Sequence, residues 1–109
     1  MNPQLLARVV ERLRALADEN RVRLLLRLKQ GSTNVTTLSA ELGIAQASVS
    51  KHLAVLKDAG LVVADRVATQ AIYRIHDTSV FELCDLVCAG VHRHVREQQA
   101  ELQRIGKSR

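Results

Sequence analysis

Leucine, valine and alanine recur every three or four residues along most of this chain, and the period drops to two only between positions 62 and 76. Pro3 after Asn2 reads as a first helical position behind an N-cap. From there Leu5, Leu6, Val9, Val10, Leu13, Leu16 and Ala17 return at helical spacing, with Arg8, Glu11, Arg12 and Arg14 mostly between them, which predicts a helix over about 3–17. Asp18 can cap a second helix over about 19–30, filled by Val22, Leu24, Leu25, Leu26 and Leu28, with Gly31 where a helix end favours a left-handed residue. Residues 31–35 read as a loop. A short helix over about 36–42 follows, with Thr36 as candidate cap, Leu38 and Leu42 inward and Gly43 as its stop. In the next helix, about 46–59, Val49, Leu53 and Leu56 fall within about 60° of one another, and Gly60 ends it.

The segments 62–67 and 71–76 are β-branched and roughly alternating, and Ala68, Thr69 and Gln70 separate them, so they read as a β-hairpin. Asp77, or Ser79 with Glu82 three residues on as a capping box, opens a last helix. Its apolar stripe is Val80, Cys84, Val87, Cys88, Val91 and Val95, continued less regularly by Leu102 and Ile105. About 25 residues of helix span roughly 37 Å, more than a domain this small needs to cover its own core. Apolar stripes at both ends of the chain therefore predict that the first and fifth helices pair across a homodimer. The fold expected is mostly α with a small β-hairpin: a single winged helix-turn-helix domain over 1–109, in the order four helices, two strands, one helix.

Composition agrees with one domain of 109 residues whose core is aliphatic, since it has one Phe, one Tyr and no Trp. So small a core makes oligomerisation a natural source of extra stability. The net charge of +5 favours an acidic partner such as nucleic acid. The charge is unevenly placed. Residues 1–30 carry seven Lys/Arg against three acids, a net of +4; residues 31–76 carry four against three; residues 77–109 carry five against five. Two cysteines are too few for a disulfide framework, no run of about 20 apolar residues is present, and the N-terminus lacks the regions of a signal peptide. A cytoplasmic location and no membrane partner are expected.

The chemistry concentrates at the two short helices, the turn Gly43-Ile44-Ala45 between them, and the hairpin. Helix-turn-helix modules lay the second helix in the DNA major groove with its N-terminal residues at base edges. Gln46 can bond adenine twice, Ser48 and Ser50 can pair with several edges, and small Ala47 can approach a thymine methyl. Lys51 and Lys57 can neutralise phosphates. Arg66 and Arg74 on the hairpin can contact backbone or minor groove. His52 lies nearer the inward face than Lys51, so a base or phosphate contact and a boundary histidine both fit it. The partner expected is double-stranded operator DNA. A winged-helix protein-interaction module is the rival reading, against which the small polar start of the fourth helix argues. No phosphate loop, glycine-flanked nucleophile or paired-carboxylate cleft suggests an enzyme.

Three runs carry a resemblance. Leu16-Ala17-Asp18-Glu19-Asn20-Arg21-Val22-Arg23-Leu24-Leu25, the stretch from Leu42 through Ser48-Val49-Ser50-Lys51-His52-Leu53 to Ala59-Gly60-Leu61-Val62, and Ile72-Tyr73-Arg74-Ile75 are together similar to the ArsR/SmtB repressors, over nearly the whole chain. The resemblance implies a homodimer that represses its own operon and is released by an inducer, and it matches Ser48, Ser50 and His52 to positions that touch DNA. Two departures stand out. Ala45 replaces the usual Ser or Thr cap of the recognition helix, and the wing tip has Thr69 without the usual glycine, which predicts a looser turn.

The family's usual metal sites are not matched. The third helix has no thiol or histidine, and Glu82-Leu83-Cys84-Asp85-Leu86 lies on the fifth helix instead. Counting from Asp85, the other ligand positions fall on Val87, Gln98 and Glu101. Cys84, Cys88 and His92, four residues apart, lie along one face. They read as packing on the apolar stripe, as a thiol-based redox or reactive-sulfur sensor at Cys84 and Cys88, or as a weak candidate site for a thiophilic metal ion. No other cofactor is expected, and the sequence assigns no inducer.

Overall fold

Helices in this protein begin where a short polar side chain reaches back to a free backbone donor. The computed structural model describes residues Met1–Lys107, so positions 108 and 109 of the expected 1–109 domain lie outside the described residues. Helix α1 (Pro3–Leu16) starts with the Asn2 amide oxygen accepting from Leu5 N at 2.7 Å. Helix α2 (Glu19–Lys29) starts with the Asp18 carboxylate accepting from Arg21 N at 3.1 Å. Helix α3 (Val35–Leu42) is capped by Asn34, whose side-chain oxygen accepts from Thr37 N at 2.8 Å. This corrects the expected cap at Thr36. The cap must be extended and sit three residues before the donor it satisfies, and Asn34 (φ −100, ψ 171) meets both conditions. Helix α4 (Gln46–Asp58) follows Ala45 and has no side-chain cap, as its sequence requires.

Strands β1 (Val62–Val67) and β2 (Gln70–Ile75) pair antiparallel from Val62↔Ile75 to Val67↔Gln70. The connection is therefore two residues, Ala68 and Thr69, not three, and the looser turn expected for a glycine-free tip does not form. Ala68 takes φ 56 to make it. Two-residue hairpins need positive φ to match the strand twist, and here an alanine adopts it despite its Cβ. The loop before α3 is also more ordered than its composition suggests. Thr33 and Tyr73 exchange both backbone hydrogen bonds, at 3.1 and 2.8 Å, so the loop lays a short rung against β2. Asn34 Nδ2 adds a bond to Gln70 Oε1 at 3.1 Å.

The chain divides into two units, residues 1–77 and the segment from Thr78 onward. The core of the first unit is aliphatic: Leu24, Leu25 and Leu28 of α2, Leu38 of α3, Ile44 of the turn, Val49, Leu53 and Leu56 of α4, and Leu61 and Val62 entering β1. No polar or charged residue is buried among the described residues. The second unit is helix α5 (Ser79–Lys107), 29 residues long, which is about 44 Å of helix. Its Leu86, Val87, Val91, Val95, Leu102 and Ile105 are exposed, as are Leu5, Leu6 and Leu13 of α1.

The strain at Ala68 has a measurable consequence. Ala68→Gly is expected to raise the unfolding free energy by about 0.5–1 kcal/mol, the relief of a left-handed Cβ less the extra chain entropy of glycine. Urea denaturation measures it, and an unchanged or lower stability would contradict the strain.

Candidate nucleic-acid interface

The turn between α3 and α4 is held by four hydrogen bonds. Gly43 closes α3 at φ 67, and its N–H and that of Ile44 both donate to Ser39 O, at 3.0 and 3.3 Å. The Ser39 hydroxyl returns a bond to Ile44 O. From α2, Arg23 Nη2 donates to Leu42 O at 2.7 Å, while its Nη1 donates to Asn20 Oδ1. Ile44 is buried beneath the turn. The start of α4 is thus fixed although Ala45 leaves its first turn without a side-chain acceptor.

Val49, Leu53 and Leu56 are completely buried and set the rotation of α4 about its axis. Gln46, Ala47, Ser50, Lys51 and Lys57 consequently face solvent, with Ser48 half-buried at the edge of that face. Five sequence-predicted positions thus share one small, polar, basic surface with Ser48 at its rim.

His52 turns the other way. Its side chain is only 17% exposed, and Nδ1 lies 3.3 Å from Arg21 Nη1. Nε2 is 3.9 Å from Asp18 Oδ1. Arg21 also donates to Ala15 O at 2.7 Å and Arg14 O at 3.1 Å, closing the C-terminal end of α1. The Asp18 carboxyl is held below its ordinary value, first by the hydrogen bond from the Arg21 backbone N–H; desolvation opposes this, and the charges of His52 and Arg21 and the Asn20 backbone N–H lower it further.

On the wing, Arg66 Nη1 donates across the turn to Thr69 O at 3.2 Å. Arg74 Nε donates to the Asp65 carboxylate at 2.7 Å, both side chains being half exposed. The two predicted wing cations are therefore displayed, and Asp65 is a residue that the sequence reading passed over. The signal for it lies in the register: Asp65 faces Ile72, two positions along β2 from Arg74.

The arginines of the first 30 residues were also unassigned. Arg12 donates twice to Ala59 O, at 3.2 and 3.0 Å, and pairs with Asp77 at 2.6 Å. Arg27 donates to Gly31 O at 3.0 Å and pairs with Glu41. With Arg21 and Arg23, four arginines of α1 and α2 thus donate to carbonyls at helix ends, where the backbone supplies no N–H donors of its own.

On α5, Cys84 is half-buried, Cys88 is exposed, and both thiols are free. His92 lies eight residues, about 12 Å of helix axis, beyond Cys84. Among the described residues no group of three or more His, Cys, Asp or Glu side chains is gathered to hold a metal ion. Cys84, Cys88 and His92, the weak metal candidate, share a helical face and are not gathered into such a group. No helix among the described residues is long and apolar enough to cross a membrane.

Residues 18–63 match the sequence pattern of a family described as bacterial regulatory protein, arsR family. The chain is 39% identical over 85 residues to the transcriptional regulator NmtR of Mycobacterium tuberculosis, covering 78% of this chain and 71% of that protein. It is 33% identical over 81 residues to the transcriptional activator HlyU of Vibrio cholerae, covering 74% of this chain and 75% of that one. Against CmtR of Mycobacterium bovis it is 42% identical over 65 residues, 60% of this chain but 55% of that protein. Among solved structures it resembles the homodimeric winged helix-turn-helix DNA-binding domain of Mb0332 from Mycobacterium bovis, with a TM-score of 0.75 and 33% identity over 86% of this chain and 87% of that one.

The Asp18 cluster makes stability depend on pH in one direction. The folded carboxyl gives up its proton at lower pH than the unfolded one, whose ordinary value is 3.8. In that window the unfolded chain binds more protons, so the contribution is present above the unfolded value and is lost as pH falls through the folded one. Asp18→Asn keeps a capping oxygen and removes the charge. Its stability is expected to be lower than that of the unaltered protein near neutral pH and to converge with it in acid, below about pH 4. Urea titrations across that range test this, and a constant gap would contradict it.

Proposed function

The chain belongs to the bacterial arsR family of regulatory proteins, and on that premise we propose that it is a homodimeric transcriptional regulator that reads operator DNA with α4. The observation that carries the reading is the rotation of α4. Three fully buried aliphatic residues turn Gln46, Ala47, Ser50 and Lys51 outward together, with Ser48 at their edge. Short polar side chains on an exposed helix let the backbone come close to base edges, with Gln46 suited to adenine and Ser48 and Ser50 to several partners. Lys51 and Lys57 neutralise phosphates, and Arg66 and Arg74 extend the contact along the wing. His52 supports α4 through Arg21 and does not reach the groove. Against a protein-binding role, α4 contributes only Val55 to the large apolar side chains left exposed.

The exposed leucines of α1 and the exposed aliphatic stripe of α5 are the faces that pair two copies, so that residues 1–109 act as one winged-helix domain with dimerisation helices at both ends. Cys84 and Cys88 lie on that stripe and pack there between the copies. A twofold dimer presents two recognition helices to half-sites about one DNA turn, roughly 34 Å, apart. Operator occupancy that blocks the chain's own promoter, ended by an inducer, is the regulation proposed. The related SmtB of Mycobacterium tuberculosis is named a repressor, and HlyU an activator.

Retardation of promoter DNA at low salt, falling steeply as salt is added, is the expected result, and no retardation at low salt would overturn the reading. Gln46→Ala or Ser48→Ala is expected to cost about 1–3 kcal/mol at the cognate site while leaving random DNA unaffected. Lys51→Ala is expected to weaken all duplexes alike and to reduce the salt slope by about 1. Asp65→Asn, which releases Arg74 and removes an acid from the wing, is expected to do the reverse: tighter binding to every duplex, with a slope steeper by about 1.

A further inference from the structure

Arg12 belongs to α1 and has no place on the outward face of α4, yet its guanidinium converges on the end of that helix. Nε and Nη2 both donate to the carbonyl of Ala59, the residue that closes α4, at 3.2 and 3.0 Å. Nη1 donates to Asp77 at 2.6 Å. The side chain is part-buried, 41% exposed, and its partner Asp77 29%. Gly60 passes directly over the group: a Cβ there would stand 3.0 Å from Nη2, and the residue takes φ 78. Two donors on one oxygen and a third on a carboxylate fix a planar fork in orientation as well as in place, which a flexible ammonium does not do.

We infer that Arg12 is a positioning residue for DNA reading: it fixes the angle at which the recognition helix leaves α1, and through α1 it fixes the separation of the two recognition helices in the dimer. The inference rests on the homodimeric reading given above. A dimer that holds both helices at one separation meets the second half-site at high effective concentration. A dimer whose helices swing must spend ordering free energy at that step. Losing Arg12 therefore acts on simultaneous binding of two half-sites and spares binding to one. Arg21 belongs to α2 and meets the middle of α4 at His52 by a single 3.3 Å contact, whereas Arg12 ties α1 itself to the end of that helix by two hydrogen bonds.

The test uses the full chain and a duplex enriched from a random library by the unaltered protein, beside a second duplex in which one half-site is scrambled. The unaltered protein prefers the two-site duplex. Arg12→Gln, which keeps at most one donor to Ala59 O, at the place of Nε, and loses both Nη groups and with them the bond to Asp77, is expected to reduce that preference about tenfold or more while its affinity for the one-site duplex stays within about threefold. Arg12→Lys, with its charge but without the fork, is expected to fall between them. Asn2→Ala, which uncaps α1 without touching α4, lowers the melting temperature and keeps the preference, separating positioning from stability. The inference is overturned if Arg12→Gln retains the preference, or if both affinities fall in parallel. Should Arg12→Gln not fold, Arg12→Lys is judged by the same two criteria. If the unaltered protein shows no two-site preference, the dimeric reading fails, and this inference with it; a preference that survives the Arg12 variants sinks this inference alone.

Discussion

Every helix leaves its last carbonyls without intrahelical partners, and this protein answers that constraint with arginine. Arg21 closes α1, Arg27 donates just past the end of α2, Arg23 closes α3 and Arg12 closes α4. A guanidinium suits the task because it presents several donors in one plane, keeps its charge and favours the negative end of a helix dipole. Three of the four reach from one helix to the end of another, so they also set the relative placement of α1, α2, α3 and α4. The aliphatic core alone is less directional, since leucines and valines of similar volume pack in many ways.

This use of arginine explains why the chain's positive charge maps away from the surface that reads DNA. The net of +4 in residues 1–30 is largely occupied by carbonyl oxygens and carboxylates of the protein itself. Lys51 and Lys57, by contrast, stand on an exposed helix face, where the phosphate contacts proposed for them would cost little desolvation. Net charge thus remains a valid statement about solubility and long-range attraction, while the local role of each cation depends on which backbone carbonyl it meets.

Much of the fold was legible because its signals are local. Four α-helices with aliphatic positions at 3.6-residue spacing, two β-branched strands and the glycines at 43 and 60 appear in the structure within a residue or two of their expected bounds. The outward set on α4 was legible for the same reason: once Val49, Leu53 and Leu56 are inside, helix geometry dictates the rest. The misses were of a different kind. Asn34 and Thr36 are both plausible caps by type, and only the backbone conformation chooses between them. The two-residue wing turn defeats an argument from composition, because strand pairing on both sides imposes a conformation that Ala68 would not adopt alone.

The amino-acid sequence by itself determined the elements, their order, the buried face of the recognition helix and the family to which the chain belongs. All of these follow from spacing along one chain, where periodicity and short motifs are sufficient. The tertiary structure decided what each charged side chain is for. Arg12 and Ala59 are 47 residues apart, and Arg21 and His52 are 31 apart. No periodicity links such pairs, and an arginine reads the same in sequence whether it faces water, a phosphate or a helix end. It is the packing of α1 and α2 against α4 that brings those carbonyls within reach, and with them the frame that holds the DNA-reading helix.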